Sequence, residues 1–563
     1  MRAPLAVGLV TLLIVAGAAI PSTLTRGQSS AGVSILYDLG DGEYFWYEAT
    51  VQDPEAQNAS WNATLVGARA LGLELEWSWF ACCGAFVGDI GNRNPPAGFV
   101  GLFVWNRTTR IWNSATIGIS GLVLRDGDAI GWYTAAADSV DFNQPFRIPV
   151  PTPDHPYPVP MFRGNLKNQG MSSSTSPSTA GVLWDRNVGV REIVSTPAVA
   201  HGRVFFATFD GLFALDGETG ATLWVNPAVK GFSSPAVFDG TILVGGSDGR
   251  LYRIDAITGA ERWNVTLLAQ TDFSGITSSP KASFDNVYVG TFNEFGGDGE
   301  VLSIWVSNGT VAWRHTTGSI HFSSPSVADG VLFVGVSGLY NTTTQVSFDP
   351  PYGVLALDAS TGSESWFFPT EGPVEASPLV AGPYVVVPSK DGFAYAVDRS
   401  SGKQAWRVQI GSSVSSPAVY EDTVFVASGS LGGPGAVMAL DLSTGSIHWT
   451  FSPNGPVQAS ITYADGRIFF STNSPTGTIY ALRAGTGEPV WTFQPRPADY
   501  ILGSPVVADG TVYAPSDNGH IYAIRDSLPS ESTILVVVLV LAMAGIAVAV
   551  AVALLWRRRH GSR

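Results

Sequence analysis

Cysteine, methionine and histidine are scarce in this 563-residue chain, with two, five and seven copies. The two cysteines are adjacent, Cys82 and Cys83 in WFACCGAF, which excludes a network of disulfides. They pair with each other, pair between molecules or stay free. The histidines (155, 201, 315, 321, 448, 520 and 560) are scattered, and no H-x-x-x-H spacing offers a zinc site. No G-x-S-x-G elbow presents a serine nucleophile. Basic residues are the minority, 31 against 46 acidic ones, for a net charge of −15, so nucleic acid and anionic lipid are poor partners for the body of the protein. The 3.6-residue periodicity of a helical solenoid is missing from the repeated part of the chain.

What is abundant is tryptophan in one frame. DGETGATLW ends at Trp224, DAITGAERW at Trp263, DASTGSESW at Trp366, DRSSGKQAW at Trp406, DLSTGSIHW at Trp449 and RAGTGEPVW at Trp491; Trp313 keeps a degenerate copy and Trp184 lacks the preceding turn. The spacings are 39 to 43 residues, with 50 and 53 where Gly-rich insertions fall, a period that points to a propeller or an array. From Ser234 to Trp263 one unit alternates β-branched and aromatic residues between two-residue DG and TG turns, the pattern of a four-stranded antiparallel meander. Each first strand carries a Ser-Pro mark, at Pro197, Pro235, Pro280, Pro325, Pro378, Pro417 and Pro505, with Ser460 in an unprolinated copy. Proline lacks the ladder N–H and belongs at a strand start or on an edge. The last unit ends without a tryptophan, and Trp184 precedes the first Ser-Pro mark. The expected fold is therefore mainly β, an eight-bladed β-propeller over 161–526 closed by the Trp184 strand, with all eight tryptophans structural. The hairpin aspartates Asp239, Asp248, Asp329, Asp391 and Asp509 are explained by turn geometry.

The chain ends carry their own signals. Residues 1–28 read as a secretory signal peptide. The apolar stretch 534–556, 23 residues long and followed by three arginines in the tail 557–563, reads as a transmembrane helix with the tail cytoplasmic. The expected location is the cell membrane, single-pass, with the ectodomain outside and the membrane engaged through that helix. Sequons at Asn58, Asn62, Asn106, Asn264, Asn308 and Asn341 are candidate N-glycosylation sites on such a glycoprotein.

Residues 31–144 carry no propeller repeat and mix strand-like runs with the helical candidate NATLVGARALGL, in which Leu65, Ala68 and either Leu71 or Ala70 share a face. A small α+β domain is expected. The Pro-rich segment 145–160 reads as a semi-rigid linker. At Cys82-Cys83 a strained vicinal disulfide with a redox or ligand-platform role stands against two small residues in a Gly-flanked turn.

The A-L-D-x-x-T-G-x-x-x-W core and the entry segment MFRGNLKNQGMS resemble the PQQ-like propeller family over about residues 160–526. That family includes quinoprotein alcohol dehydrogenases and the bacterial outer-membrane assembly lipoprotein of the BamB type. The dehydrogenases hold pyrroloquinoline quinone (PQQ) against a vicinal Cys-Cys ring inside the propeller, with Ca²⁺ on acidic and amide side chains and an Asp as base. In this sequence the vicinal pair lies outside the propeller, so the resemblance transfers no catalytic or metal residue. YDLGDGEYFWYEATV, the helical candidate and LRDGDAIGWYTA, with Asp126, Gly127, Asp128 and Trp132, resemble the β-grasp-like domain at the C-terminus of transcobalamins, which implies ligand or surface binding.

The function expected from these features is a non-catalytic, membrane-anchored extracytoplasmic scaffold without a cofactor, binding a protein or cell-surface partner. The alternative is a cell-surface dehydrogenase using PQQ with calcium. A third reading is a ligand or redox sensor spaced from the membrane by the propeller.

Overall fold

The computed structural model describes residues 30–527 apart from 40–42, 82–83, 92–97, 137–150, 190–191, 270–274, 284 and 345–347. The first unit is a mixed sheet with one helix. Its strands are β1 (Ser30–Asp38), β2 (Tyr44–Gln52), β5 (Gly98–Asn106), β6 (Ile111–Ser114) and β7 (Ala129–Ala136), in the order β2-β1-β7-β5-β6 with β1 and β7 parallel. Helix α1 (Ala59–Ala70) follows β2, and the hairpin of β3 (Leu75–Phe80) and β4 (Gly84–Ile90) follows the helix. The buried face of α1 is Ser60, Trp61, Ala63, Thr64, Gly67 and Ala68, whereas Leu65 and Leu71 are only half-buried. Gly67 sets that choice, because a Cβ there would lie 2.6 Å from the Tyr37 hydroxyl. The run SGLVL at 120–124, one of the strand-like runs of this region, is instead a 3-10 turn at Ile119–Gly121 followed by irregular chain.

Eight four-stranded antiparallel sheets follow. Their first strands are Ala198–Ala200, Ala236–Phe238, Lys281–Ser283, Ser326–Ala328, Leu379–Ala381, Ala418–Tyr420, Thr462–Ala464 and Val506–Ala508. The seventh sheet gains a parallel edge from β8 (Met171–Ser172). The eighth takes its fourth strand from β9 (Gly181–Asn187), which sets Trp184 opposite Ala523 and joins the two ends of the repeat array.

Two rings of hydrogen bonds run through all eight sheets. At the inner edge the amide of Thr196 donates to the Ser234 hydroxyl, that of Ser234 to Ser279, and so on through Ser324, Ser377, Ser416, Ser460 and Ser504, whose amide returns to Thr196 Oγ1; the distances are 2.8–3.4 Å. Farther out each tryptophan indole donates to a carbonyl of the next sheet, from Trp184 to Gly217 around to Trp491 and Pro177, at 2.8–3.2 Å. The D-x-x-T-G turn of one sheet receives the tryptophan of the sheet before it. The Asp216 carboxylate accepts from the Thr219 amide and hydroxyl, both at 2.8 Å, and this brings Gly220, at φ 67°, against the Trp184 ring. The same hydroxyl and amide donors hold the Asp398 and Asp441 carboxyls down at about 2, through Ser400 and Ser401 in one turn and Ser443 and Thr444 in the other.

A segment of the chain itself winds through the ring axis. Val159 pairs with Val199, and the carbonyls of Pro160, Leu166, Lys167, Gln169 and Gly170 accept from Val237, Val327, Val380, Val419 and Tyr463 in turn. The Lys281 ammonium supplies the contact to the third sheet, and Ser174 Oγ accepts from Gly510 in the eighth. The described part of the expected linker, 151–160, is no free spacer. Pro151 and Pro156 carbonyls accept from the Trp112 and Trp46 indoles, and Asp509 accepts from the Tyr157 amide and meets His155 at 3.1 Å. With Lys167 paired to Glu43, the N-terminal unit is clamped onto the face of the ring that carries the tight DG turns.

The expectation of a C-terminal transmembrane helix in a single-pass membrane protein is corrected. Among the described residues no helix is long and apolar enough to cross a membrane. The one described α-helix has 12 residues and spans about 18 Å, short of the roughly 30 Å of a bilayer's hydrocarbon core. The segments 1–28, 534–556 and 557–563 lie outside the described residues.

The tryptophan–turn contact makes a quantitative prediction. A Cβ at Gly402 would sit 2.8 Å from the Trp366 ring with φ at 68°, whereas one at Gly382, φ 53°, meets nothing within 4 Å. Gly382→Ala is expected to cost about 1 kcal/mol from backbone strain, and Gly402→Ala roughly 2–4 kcal/mol because overpacking adds to it. Urea midpoints of the two variants compared with the parent check the difference.

Candidate axial site

Inside the serine belt lies a cavity of about 410 Å³. Its floor is Phe162 of the axial segment. Its wall is the belt hydroxyls of Thr196, Ser234, Ser279, Ser416, Ser460 and Ser504, and its mouth is framed by Phe232, Phe322, Glu375, Lys390, Leu431 and Asn473. The mouth opens on the face opposite the N-terminal unit, where the connections between second and third strands lie. The longest of these, between Val336 and Gly353 and between Gly290 and Gly299, fall in the two units whose tryptophan spacing is stretched to 53 and 50.

One charged cluster stands at the mouth. Glu375 is buried, 5% exposed, with Lys390 Nζ at 3.1 Å and His321 Nδ1 at 3.4 Å from its Oε1. Burial alone would raise this carboxyl, but His321 and Lys390 prevail and hold it below its ordinary value. The contact with His321 is a close approach rather than a formed hydrogen bond, since His321 Nδ1 has no hydrogen-bond partner. His321 is packed among Phe292 and Phe322, with ring centroids at 4.5 and 4.2 Å, and Phe322 continues to Phe232 and Phe209.

The sequence-predicted positions fall elsewhere. The eight tryptophans line the junctions between sheets, not the axis. Among the turn aspartates, Asp239, Asp329 and Asp509 sit at positive φ before a glycine, as a type I′ hairpin requires. Asp248 and Asp391 lie instead in loops of the open face and accept from the Tyr252 and Tyr395 hydroxyls. Of the sequon asparagines, Asn308 is exposed in a turn, Asn341 lies in the fourth-sheet insertion, Asn264 is on an outer strand, Asn106 caps the turn after β5, Asn58 precedes α1 and Asn62 lies within it. The hydroxyl of the Asn62 sequon, on Thr64, is buried and donates back to Ser60. Cys82 and Cys83 lie outside the described residues. Among the described residues no three His, Cys, Asp or Glu side chains are placed to hold a metal ion. Sequence reasoning reads the repeated serines as strand-entry residues and misses the belt. The signal was their recurrence directly before each strand, in register with the proline.

The loop position held by Lys390 in Ser389-Lys390-Asp391-Gly392 is Asp517 in Ser516-Asp517-Asn518-Gly519. Asp517 Oδ1 is buried without a hydrogen-bond partner. Burial, then the Glu192 and Asp499 carboxylates, push its carboxyl up to about 7. A carboxyl raised on folding costs nothing below its unfolded value of about 3.9, and its penalty grows until the pH passes the folded value. Asp517→Asn is therefore expected to raise the melting temperature at pH 8, with the gain shrinking to nothing near pH 4. Thermal melts of both proteins across that range check the sign.

Comparison with known proteins places this geometry. The chain is 26% identical over 273 residues to the outer membrane protein assembly factor BamB of Shewanella oneidensis, covering 46% of this chain and 64% of that protein. It is 27% identical over 215 residues to quinohemoprotein alcohol dehydrogenase ADH-IIG of Pseudomonas putida, covering 32% and 29%. The match thus spans less than two thirds of either relative. Among solved structures, the quinohemoprotein alcohol dehydrogenase of Comamonas testosteroni superposes with a TM-score of 0.54 at 16% identity, over 65% of this chain and 80% of that one, a likeness of fold. The family described as outer membrane protein assembly factor BamB matches residues 173–344, 297–432 and 391–527. Together these stretches cover the whole ring of sheets, and the chain belongs to that PQQ-like repeat family.

Proposed function

We propose that the protein is a non-catalytic scaffold of the BamB type that engages a protein partner through the open loop face of its ring. The observation that carries this reading is the axial segment 159–174. It is hydrogen-bonded to every sheet, and with the N-terminal unit it covers one face, leaving the insertion-bearing face for contact. Leu431 stands there 66% exposed, beside Phe322 and Phe232 at the cavity mouth. Apolar and aromatic side chains within a polar rim suit protein recognition.

The quinone reading fares less well on donor chemistry. PQQ with calcium needs acidic and amide ligands for the ion. The one carboxylate lining the cavity, Glu375, is already engaged by Lys390 and His321. The two lining amides are likewise engaged with each other, Asn473 donating to Gln458, which speaks against a calcium site at this place.

Two measurements test the proposal. Dye-linked oxidation of alcohols or sugars by the full chain supplied with PQQ and Ca²⁺ is expected to stay at background; sustained turnover would make the protein an enzyme. A photo-cross-linker at Leu431 is expected to give a discrete protein adduct in the native host, while one at Val225, 42% exposed on an outer strand, gives none. Equal labelling from both positions would remove the loop face from the argument.

A further inference from the structure

Two buried cations lie beneath the cavity floor without an anion. Arg163 is 4% exposed and Lys281 0%. The guanidinium donates to the carbonyls of Pro417 and Ile461, and the ammonium to those of Phe162 and Asn165. Neither meets a carboxylate among the described residues, and Arg163 Nε has no partner at all. Both groups stand 5.9 Å from the centroid of the Phe162 ring, the same ring that faces the cavity. Burial drives both groups toward their neutral forms, and the neighbouring Arg163 adds to the effect on Lys281. A guanidinium nevertheless keeps its proton near neutral pH, so positive charge remains under the floor of a protein whose net charge is −15. An unpaired buried charge is costly, and carbonyl dipoles offset it only in part.

The cavity wall adds donors. Each of the six lining belt hydroxyls spends its oxygen on accepting an amide from the preceding sheet. A hydroxyl that accepts still has its own O–H to give, and none of the six has an acceptor for it among the described residues. Lys390 brings a third cation to the mouth, and the one lining carboxylate, Glu375, is offset by Lys390 and His321.

We propose that the axial cavity is a binding site for one small oxyanion, held by the ring of O–H donors above the Arg163–Lys281 pair. Free hydroxyl protons and positive charge recur around one axis, and an oxyanion is the ligand class that uses both. A metal cation is disfavoured by the charge beneath the floor, and a neutral sugar would use the donors but leave that charge unanswered.

The test is calorimetric titration of the full chain with inorganic phosphate and with sulfate at constant ionic strength, with glucose as the neutral control. The expected result is saturable one-to-one binding of the oxyanions at a dissociation constant of about 1 mM or tighter, and no heat from glucose. Arg163→Met, which removes the charge that persists under the floor, is expected to weaken binding at least about tenfold. Lys390→Gln, at the solvent-facing mouth and without a role in the axial packing, is expected to weaken it severalfold. Should Arg163→Met fail to fold, the Lys390→Gln titration decides alone. No saturable oxyanion binding, binding that glucose matches, or binding that the folded variants leave unchanged would each overturn the proposal.

Discussion

A ring of sheets stands or falls on closure, and here closure is a hydrogen bond repeated eight times. Each inner-edge amide donates to the serine or threonine hydroxyl of the next sheet, and the eighth returns to the first. A single such bond contributes only about 1 kcal/mol. Opening the ring anywhere would strand a buried amide and a buried hydroxyl together, at the larger cost of unmet polar groups. The pairing of β9 with the last repeat makes the same demand at the outer edge, because it supplies the strand the eighth sheet lacks.

The tryptophans turn that closed ring into a stiff one. An indole that fills the turn of its neighbour couples adjacent sheets by area and by its one N–H at once. Glycine in the turn lets the ring lie flat on the backbone, which is why the motif tolerates so little change at that position. The axial segment then ties each inner strand to a single stretch of chain, and the N-terminal unit is clamped over that end through Asp509, Lys167 and the indoles of Trp46 and Trp112. What stays open is a hydroxyl-lined axis and a loop face, the places where a rigid ring can meet something else.

Much of this was legible in the residues. The eight tryptophans, the DG turns and the Ser-Pro marks announce eight four-stranded units, and the mismatch between the first and last of them announces the closing strand at Trp184. The site was far less legible. Ser234 and Ser279 look like strand-entry residues, Arg163 and Lys281 like ordinary surface cations, and Asp517 like one more turn aspartate. Their environments arise largely from distant segments, as Glu192 does for Asp517 and Phe162 for Lys281, which no local pattern encodes. The apolar run at 534–556 announces a length by composition alone and lies outside the described residues, among which no helix is long and apolar enough to cross a membrane.

The sequence by itself determined the period, the strand count, the turn chemistry and the order of the sheets, because those depend on neighbours a few residues apart, through hairpin geometry and side-chain alternation. Only the tertiary structure decided that each T-G turn serves the tryptophan of the preceding sheet, that the serines close a belt, that a proline-rich connection is a clamp, and that two cations meet at the axis without an anion. Those features exist because ring closure brings eight distant inner edges to one line, where burial sets the cost of every polar group placed there.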